Sequence, residues 1–218
     1  MRRVFFAFAS AAILASVILG VATRRSFHSV PTDVAALSDY RVEMAFSEWH
    51  DESREYTEAE LDNAEFVARV VFTGERIHGC QSMLSMVTVR EVYTGDPSYT
   101  GKTMPMFEVN HFNAEYHLYR NFSYANLMLP DREYLAFCRI IENPYDKENP
   151  VRLRPARDLG LSVFRLEENS DVIFDAEKAK NRELTYGDTL SSEFICFSRE
   201  QLDAVLRLKQ KYLDKYGV

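Results

Sequence analysis

The segment Glu65-Phe66-Val67-Ala68-Arg69-Val70-Val71-Phe72, which stops at Gly74, is the first of four apolar segments in residues 63–143. These four segments decide the fold. The other three segments are residues 83–93, 102–109 and 133–141. All four are rich in β-branched and aromatic residues and are bounded by Gly, Pro, Asp or Asn, which is typical of strands. The sequence therefore predicts a mainly β fold with flanking helices, of the α+β class.

The side chains of these segments alternate as they do in a sheet with a buried face. In the first segment the predicted inward set is the wholly apolar one, Phe66, Ala68, Val70 and Phe72. In the second segment Val87 and Val89 share a face, but Val92 is out of phase with them. This break predicts a β-bulge near Arg90, a feature that helps small barrels to close.

The turn residues that bound the segments occur at a characteristic spacing. The first ends at Gly74, the second at Thr94-Gly95-Asp96, Gly101 precedes the third, and the fourth contains Tyr134-Leu135. This arrangement resembles the OB-fold domain of tissue inhibitors of metalloproteinases and netrin modules, which occurs in many secreted and anchored bacterial proteins. In that family a Lys is usual where Thr94 stands and a Gly where Asp131 stands. The resemblance covers residues 58–175 and implies a five-stranded OB-like barrel.

The resemblance predicts the fold far better than the activity, because the shared residues occupy turn and core positions. The inhibitors act through an N-terminal Cys that grips the zinc of the protease. The first Cys of this chain is Cys80, and an apolar run stands at the N-terminus instead. A secreted protease inhibitor is therefore an alternative that rests on resemblance alone.

The N-terminus contains 19 uncharged residues, positions 4–22. A helix rises about 1.5 Å per residue, so this run just spans a hydrocarbon core of roughly 30 Å. Its length favours an uncleaved transmembrane anchor. The alternative is a cleaved signal peptide, with Arg2-Arg3 as the positive region and Gly20-Val21-Ala22 before the cut. We predict an anchor or signal peptide at residues 1–25, a stalk or entry segment at 26–57, and an OB-like extracytoplasmic domain at 58–218.

The charge of the predicted domain is strongly acidic. Four of the 26 basic residues and none of the 33 acidic residues lie in residues 1–25, so residues 26–218 carry 22 basic and 33 acidic side chains, a net of -11. A domain of that sign repels phosphate backbones, which excludes nucleic acid as a general partner. The chain is predicted to cross the cell membrane once, with the domain outside the cytoplasm. The alternative is that the protein is secreted. The predicted partners are the membrane and another envelope protein.

Residues 110–128, between the third and fourth segments, contain the candidate binding residues. Their aromatic side chains recur at near-helical spacing, which favours a helix or a variable loop at this point of the barrel. Two interpretations stay open: the rings plug the bottom of the barrel, or they form a recognition surface on a rigid scaffold. The residues predicted to bind a partner are Phe112, Tyr116, Tyr119, Arg120 and Tyr124.

Metal and catalytic chemistry find little support in the sequence. His111, Glu115 and His117 lie close together, but their spacing is not HExxH. The chain has no GxSxG, P-loop, GxGxxG or CxxC motif. We therefore predict a binding or scaffold module without a metal or cofactor. The alternative is a hydrolytic enzyme whose carboxylates or histidines are brought together only by the fold.

The three cysteines allow at most one internal disulfide, and the candidate pair is Cys138 with Cys196. Both lie in apolar, strand-like runs, and neighbouring strands bring side chains close to disulfide reach. The alternative is that all three thiols are buried and act as small hydrophobic side chains.

Several weaker patterns complete the prediction. Thr57 and Glu60 have capping-box spacing, which predicts a short helix into the first strand, and residues 161–174 have the pattern of a hairpin. Residues 194–197 are predicted as a strand and residues 175–183 as a short solvated helix. An amphipathic C-terminal helix follows Ser198, with Gln201 three residues on and Gly217 as its stop.

Overall fold

A computed structural model describes residues 13, 16–20, 30, 34–44, 51–79, 82–156, 160–167 and 172–218. The chain has two compact units, Met1–Val30 and Pro31–Val218. In the first unit Ile13 and residues 16–20 are helical and exposed, and the rest of the predicted apolar helix lies outside the described residues. Among the residues that are described, no helix combines the length and the apolar character needed to span a membrane.

The second unit is built mainly of strands. Its strands are β1 (Arg41–Met44), β2 (Phe66–Gly79), β3 (Ser82–Thr94), β4 (Thr103–Glu108), β5 (His111–Asn113), β6 (Leu118–Asn121), β7 (Glu133–Glu142), β8 (Val151–Pro155) and β9 (Val163–Arg165). Its helices are α1 (Val34–Leu37), α2 (Asp51–Asp62), α3 (Ala176–Lys180), α4 (Tyr186–Thr189) and α5 (Arg199–Tyr216), and a 3-10 turn covers Pro97–Tyr99. The predicted mainly β, α+β class is confirmed. The four predicted segments are β2, β3, β4 and β7.

Six of the strands form one sheet. β2 pairs antiparallel with both β3 and β7, and β3 pairs antiparallel with β4. β4 pairs with β8 in parallel, and both β8 and β9 pair antiparallel with β7 along the edge opposite to β2. The pairings therefore run from β2 through β3, β4, β8 and β7 back to β2. The other sheet has three strands in the order β1, β6, β5.

The inner face of the six-stranded sheet holds the predicted inward set. The side chains of β2 on this face are fully buried and pack against apolar side chains from β3, β4 and β7: Phe66, Ala68, Val70 and Phe72 against Val87, Val89, Met104, Met106, Ala136 and Cys138. The alternation read from the sequence is thus confirmed for β2.

The predicted bulge is also present. Arg69 pairs with Glu91 and the next residue, Val70, pairs with Val89, so Arg90 is the extra residue on β3. A second shift of the same kind follows at Tyr93. Each extra residue reverses the phase of the side chains, which returns Val92 to the inner face beside Ala68.

The sequence predicted that the first strand ends at Gly74, but the strand does not end there. β2 continues to Gly79, and the register passes from Phe72 opposite Val87 to Arg76 opposite Ser85 across an irregularity that contains Gly74. Gly74 has φ 92°, a conformation that costs glycine little. The glycine therefore marks a bulge within a long strand, because the chain can take this extra turn without leaving the sheet.

Helix α5 covers the outer face of part of the sheet. It begins after Ser198, whose side chain accepts a hydrogen bond from the Gln201 backbone N at 3.1 Å, and it ends at Gly217 with φ 68°. The predicted C-terminal helix is confirmed, and its apolar stripe is a core face. The residues of α5 and the sheet that meet there are Leu202, Val205, Leu208 and Tyr212 with Val67, Leu135, Phe137 and Phe164.

Helix α2 starts earlier than its capping-box pattern predicted. It begins at Asp51, so Thr57 lies inside the helix and is buried rather than serving as the N-cap. Acidic side chains along α2 meet basic ones on α5, with Lys211 Nζ at 2.6 Å from Glu58 and Lys215 Nζ at 2.7 Å from Asp62. Residues 34–44, within the predicted stalk, contribute α1 and β1 to this unit.

The described residues between positions 161 and 197 form fewer regular strands than the sequence pattern predicted. β9 pairs with β7 and does not form a hairpin with the following apolar residues. Ile173 instead makes an isolated bridge with Cys196, and Phe194 makes one with Ala125. Residues 194–197 are therefore not a regular strand. The predicted short solvated helix is α3, which Asp175 caps.

The predicted disulfide between Cys138 and Cys196 is not formed, and both thiols are free and buried. Cys138 lies in the cluster on the inner face of the sheet, whereas Cys196 lies in the cluster beneath α5 on the outer face. The sheet separates the two side chains, which is why they do not pair. Burial raises the pKa of both thiols, that of Cys196 to about 12.

Candidate functional site

The predicted binding segment, residues 110–128, forms a β-hairpin and not a helix. β5 and β6 pair antiparallel, and β6 also pairs in parallel with β1. Phe112 lies directly opposite Tyr119 across the hairpin. Their separation of seven residues resembles two helical turns in the sequence, but here the chain reverses between them and the two rings meet from neighbouring strands.

Phe112 and Tyr119 belong to a buried aromatic cluster. The Phe112 ring lies 5.2 Å from Tyr40, 5.1 Å from Tyr119 and 5.0 Å from Tyr186. The first and third of these contacts are edge-to-face, at 86° and 87°. Such geometry is favourable for aromatic pairs beyond the area that they bury. All four rings are shielded from water, so Phe112 and Tyr119 form a core and not a binding surface.

The other predicted binding residues have different environments. Tyr124 is buried with φ 61°, and its carbonyl accepts a hydrogen bond from the Ile195 backbone N at 2.7 Å. Arg120 is half-buried, and its Nε donates to Glu43 at 2.7 Å. Tyr116 is the member of the set that faces solvent, with 61% of its surface exposed. The structure thus brings Phe112 and Tyr119 together and leaves Tyr116 at the tip.

The tip of the hairpin, residues 114–117, is hydrogen-bonded on both sides. The Tyr116 backbone N donates to Asn113 Oδ1 at 3.1 Å, and the His117 carbonyl accepts from Arg41 N at 3.0 Å. His117 has φ 55°, and its ring stacks on Tyr40 at 4.1 Å and 22°. The exposed Tyr116 therefore projects from a turn that is tied to its neighbours by hydrogen bonds and a ring stack.

A network of asparagine side chains, of which Asn110 is buried and Asn126 half-buried, connects the hairpin to the rest of the unit. Asn110 Nδ2 donates to the Ala125 carbonyl at 2.6 Å, and its Oδ1 accepts from Phe122 N at 2.7 Å. Asn126 Oδ1 accepts from the Tyr119 hydroxyl at 3.1 Å, and its Nδ2 donates to the Thr189 carbonyl at 2.8 Å. These side chains satisfy backbone groups that no strand partner serves, which ties the hairpin to α4.

An ion pair lies beneath the same region and is almost wholly buried. Arg76 Nε donates to Glu108 Oε1 at 3.1 Å, and the guanidinium stacks on the Phe72 ring at 4.2 Å. Glu108 also accepts from the Ser85 hydroxyl and, at 3.2 Å, from Met128 N, while Arg76 also donates to the Met128 carbonyl. Both oxygens of Glu108 accept hydrogen bonds, so this network joins β2, β3 and β4 through buried side chains.

A small cavity of about 30 Å³ lies beside the network. Its polar lining includes Glu108, Asn110, Ser123, Asn126 and Ser162. A volume of this order suits one or two water molecules and not an organic ligand. The cavity is therefore too small to serve as a binding site for an organic ligand.

The histidines of this region do not gather around a common point that could hold a metal. His111 stacks on Phe122 at 5.4 Å, whereas His117 stacks on Tyr40. Within the described part of the chain, no group of three or more His, Cys, Asp or Glu side chains could hold a metal ion. Burial lowers the pKa of His78 and His111, and the nearby charges of Arg76 and Arg120 lower them further.

Comparison with protein-family models gives no match for this chain, and comparison with curated protein sequences gives none either. The function of the candidate site is therefore inferred from its geometry. That geometry is a hairpin whose root is an aromatic core and whose tip presents one exposed tyrosine. Sequence patterns could not identify Tyr40 and Tyr186 as parts of the root, because both lie far along the chain from the hairpin.

Proposed function

We propose that this chain is a protein-binding module, built on an OB-like barrel and held outside the cytoplasm by its N-terminal apolar run. The support for a barrel is the path of strand pairings, in which β2 meets both β3 and β7 and β4 meets β8 in parallel. The resemblance to the inhibitor and netrin domains points to the same architecture. It also fits a domain that is exported, because that family is common outside the cytoplasm.

The location can be tested by the exposure of Pro31–Val218 to protease. Residues 4–22 carry no charge and are long enough to direct the chain to a translocon. We expect protease added to intact spheroplasts to digest this unit. Digestion that occurs only after the spheroplasts are lysed would reverse the proposed topology.

The single observation that carries the binding function is the preorganised tip of the β5–β6 hairpin. An exposed aromatic side chain on a rigid turn buries a large area in a complex while few torsions are frozen. Tyr116 meets this description, because the turn around it is hydrogen-bonded at both ends and anchored by the stack of His117 on Tyr40. Glu115 beside it is exposed and adds a charge that can orient a partner.

Photocrosslinking from position 116 of the full chain, in its native membrane fraction, tests this proposal. We expect a discrete crosslinked protein from position 116, and we expect Tyr116→Ser to reduce its capture about tenfold or more, the usual effect of losing an interface anchor. Tyr56 on α2 is the matched control, since it is 57% exposed. Equal capture by Tyr116→Ser and Tyr56→Ser would refute a binding role for the tip.

A further inference from the structure

Two histidine side chains flank β5, the first strand of the hairpin. His111 lies in β5 itself, is 7% exposed and stacks on Phe122 at 5.4 Å. His78 lies near the end of β2, and its ring is 6.3 Å from that of Phe112 in β5. In both imidazoles Nε2 is shielded from water and, among the described residues, has no hydrogen-bond partner.

Such a site accepts a neutral imidazole much better than a protonated one. A neutral imidazole has one N–H group, whereas a protonated imidazole has two and needs an acceptor for each. A buried donor without an acceptor costs free energy, and a buried charge costs more. Protonation of His111 or His78 therefore places an unsatisfied, charged N–H group beside β5.

The charges that face His111 oppose its protonation. Arg120 of β6 lies directly opposite, and like charges in that position destabilise a strand pair. Glu43 of β1 lies opposite Arg120 on the other side and accepts a hydrogen bond from its Nε at 2.7 Å. Two strand spacings, about 10 Å, therefore separate Glu43 from His111. A protonated His111 is thus set against Arg120, with the carboxylate on the far side of that arginine.

The charges that face His78 are those of the buried ion pair. Arg76 precedes it by two residues on the same face of β2. Glu108 of β4 lies beyond Met83 of β3 in the same row, because His78 pairs with Met83 and Met83 pairs with Glu108. Both oxygens of Glu108 already accept hydrogen bonds, and the facing side chains of Met83 and Phe112 carry no charge. A proton on His78 is therefore repelled by Arg76 more than Glu108 attracts it.

The hairpin is the part of the unit that such a change can open. β5 stands at the edge of the three-stranded sheet and pairs with β6 at three positions. β2, in contrast, pairs with β3 along one edge and with β7 along the other. Short elements paired on one side open locally at a lower free energy than the core of a sheet. The cost of protonation is therefore relieved most easily by the opening of β5.

We propose that acid opens the β5–β6 hairpin through the protonation of His111 and His78. In the opened hairpin both imidazoles reach water, which serves the nitrogen that the closed form leaves without a partner. The inference goes beyond the binding role of the hairpin tip and does not depend on it, because opening can be measured without a partner protein.

The direction of the pH dependence follows from the pKa of each histidine. Burial and then Arg120 lower the pKa of His111, against a smaller opposing effect of a hydrogen bond with the Val109 backbone. Burial and then Arg76 lower the pKa of His78. Both groups therefore bind fewer protons in the closed hairpin than in the open one, where the pKa is near its ordinary value of 6.5. Opening becomes easier as the pH falls below that value, by up to about tenfold per pH unit for each histidine until the closed form is protonated too.

Hydrogen exchange of the full chain in neutral detergent, followed by mass spectrometry at about pH 7 and about pH 5, tests the proposal. The protection factors are corrected for the pH dependence of intrinsic exchange. We expect the protection of amides in residues 111–121 to fall about tenfold or more between the two pH values. The protection of residues 66–72 in β2 should change less than about threefold, because that strand is paired on both edges.

Substitutions separate the two histidines from other titratable groups. His111→Phe keeps a ring that can stack on Phe122, and together with His78→Gln it removes both imidazoles. We expect this double variant to lose the acid response and each single variant to retain part of it. The control is His117→Asn, because His117 is exposed and asparagine tolerates its positive φ. This control should respond to acid as the unaltered chain does.

Four outcomes would overturn the inference. One is equal corrected protection of the hairpin at both pH values, and another is an acid response that survives in the double variant. A third is an equal fall of protection in residues 66–72, since acid would then unfold the whole unit. The pair His111→Gln, His78→Gln is a second neutral version. A hairpin already open at about pH 7 in both double variants would show that the imidazoles act by packing alone.

Discussion

Replacing Tyr119 with alanine should lower the free energy of unfolding by about 3–5 kcal/mol, the usual cost of removing a packed aromatic side chain. Tyr119 is fully buried, and its ring lies 5.1 Å from Phe112 and 4.7 Å from Tyr186. The change also deprives Asn126 of the hydroxyl that donates to its Oδ1. Urea unfolding followed by circular dichroism measures the difference.

Tyr116→Ala is the matched control for this substitution, because it removes the same side chain from the same hairpin. Tyr116 is largely exposed, so its loss should change stability by no more than about 0.5 kcal/mol. A small cost for Tyr119→Ala, similar to that of Tyr116→Ala, would contradict the buried position of Tyr119 and restore it as a surface candidate.

Arg76→Met should be of comparable severity, with a loss of about 3–5 kcal/mol, because it leaves the carboxylate of Glu108 buried without its countercharge. The Glu108 side chain is almost wholly shielded from water, and its remaining donors are the Ser85 hydroxyl and the Met128 backbone N. Methionine has about the volume needed to retain the contact with Phe72. The same unfolding measurement applies.

A second substitution separates the effect of charge from that of packing. Adding Glu108→Gln to Arg76→Met removes the buried charge while the amide oxygen can still accept hydrogen bonds, so much of the lost stability should return. For comparison, Arg132 pairs with Glu167 at 2.7 Å, but both side chains are about half exposed. Arg132→Gln should therefore cost less than about 1 kcal/mol. A double variant no more stable than Arg76→Met would show that packing, not charge, sets the cost.

The parts of the fold that sequence patterns predicted well are those governed by local alternation. The inward side chains of β2 and the bulge at Arg90 depend on the phase of neighbouring residues, which is readable from one segment. The cap at Ser198 and the stop at Gly217 are likewise local. Helix α2 shows the limit, since the same local logic placed its start at Thr57, six residues after Asp51.

The candidate site was harder to predict because its chemistry is long-range. An aromatic residue at every third to seventh position fits a helix or a hairpin, and the choice is made by Tyr40 and Tyr186, which pack on the rings from distant elements. The Arg76–Glu108 pair joins residues 32 positions apart, and no sequence motif predicts it. Cys138 and Cys196 each lie in an apolar run, and only the sheet between them decides that they stay apart.

The cover that α5 gives to the sheet sets an order of events during synthesis. Lys211 of α5 meets Glu58 of α2 across 153 residues of chain. Until residues 199–216 have emerged, Val67, Leu135 and Phe137 lack the cover that the apolar side chains of α5 give them. Contacts so distant in sequence form late, and uncovered apolar strands are the surfaces that aggregate or recruit chaperones. The nascent chain is thus most vulnerable in the interval between completion of β9 and arrival of α5.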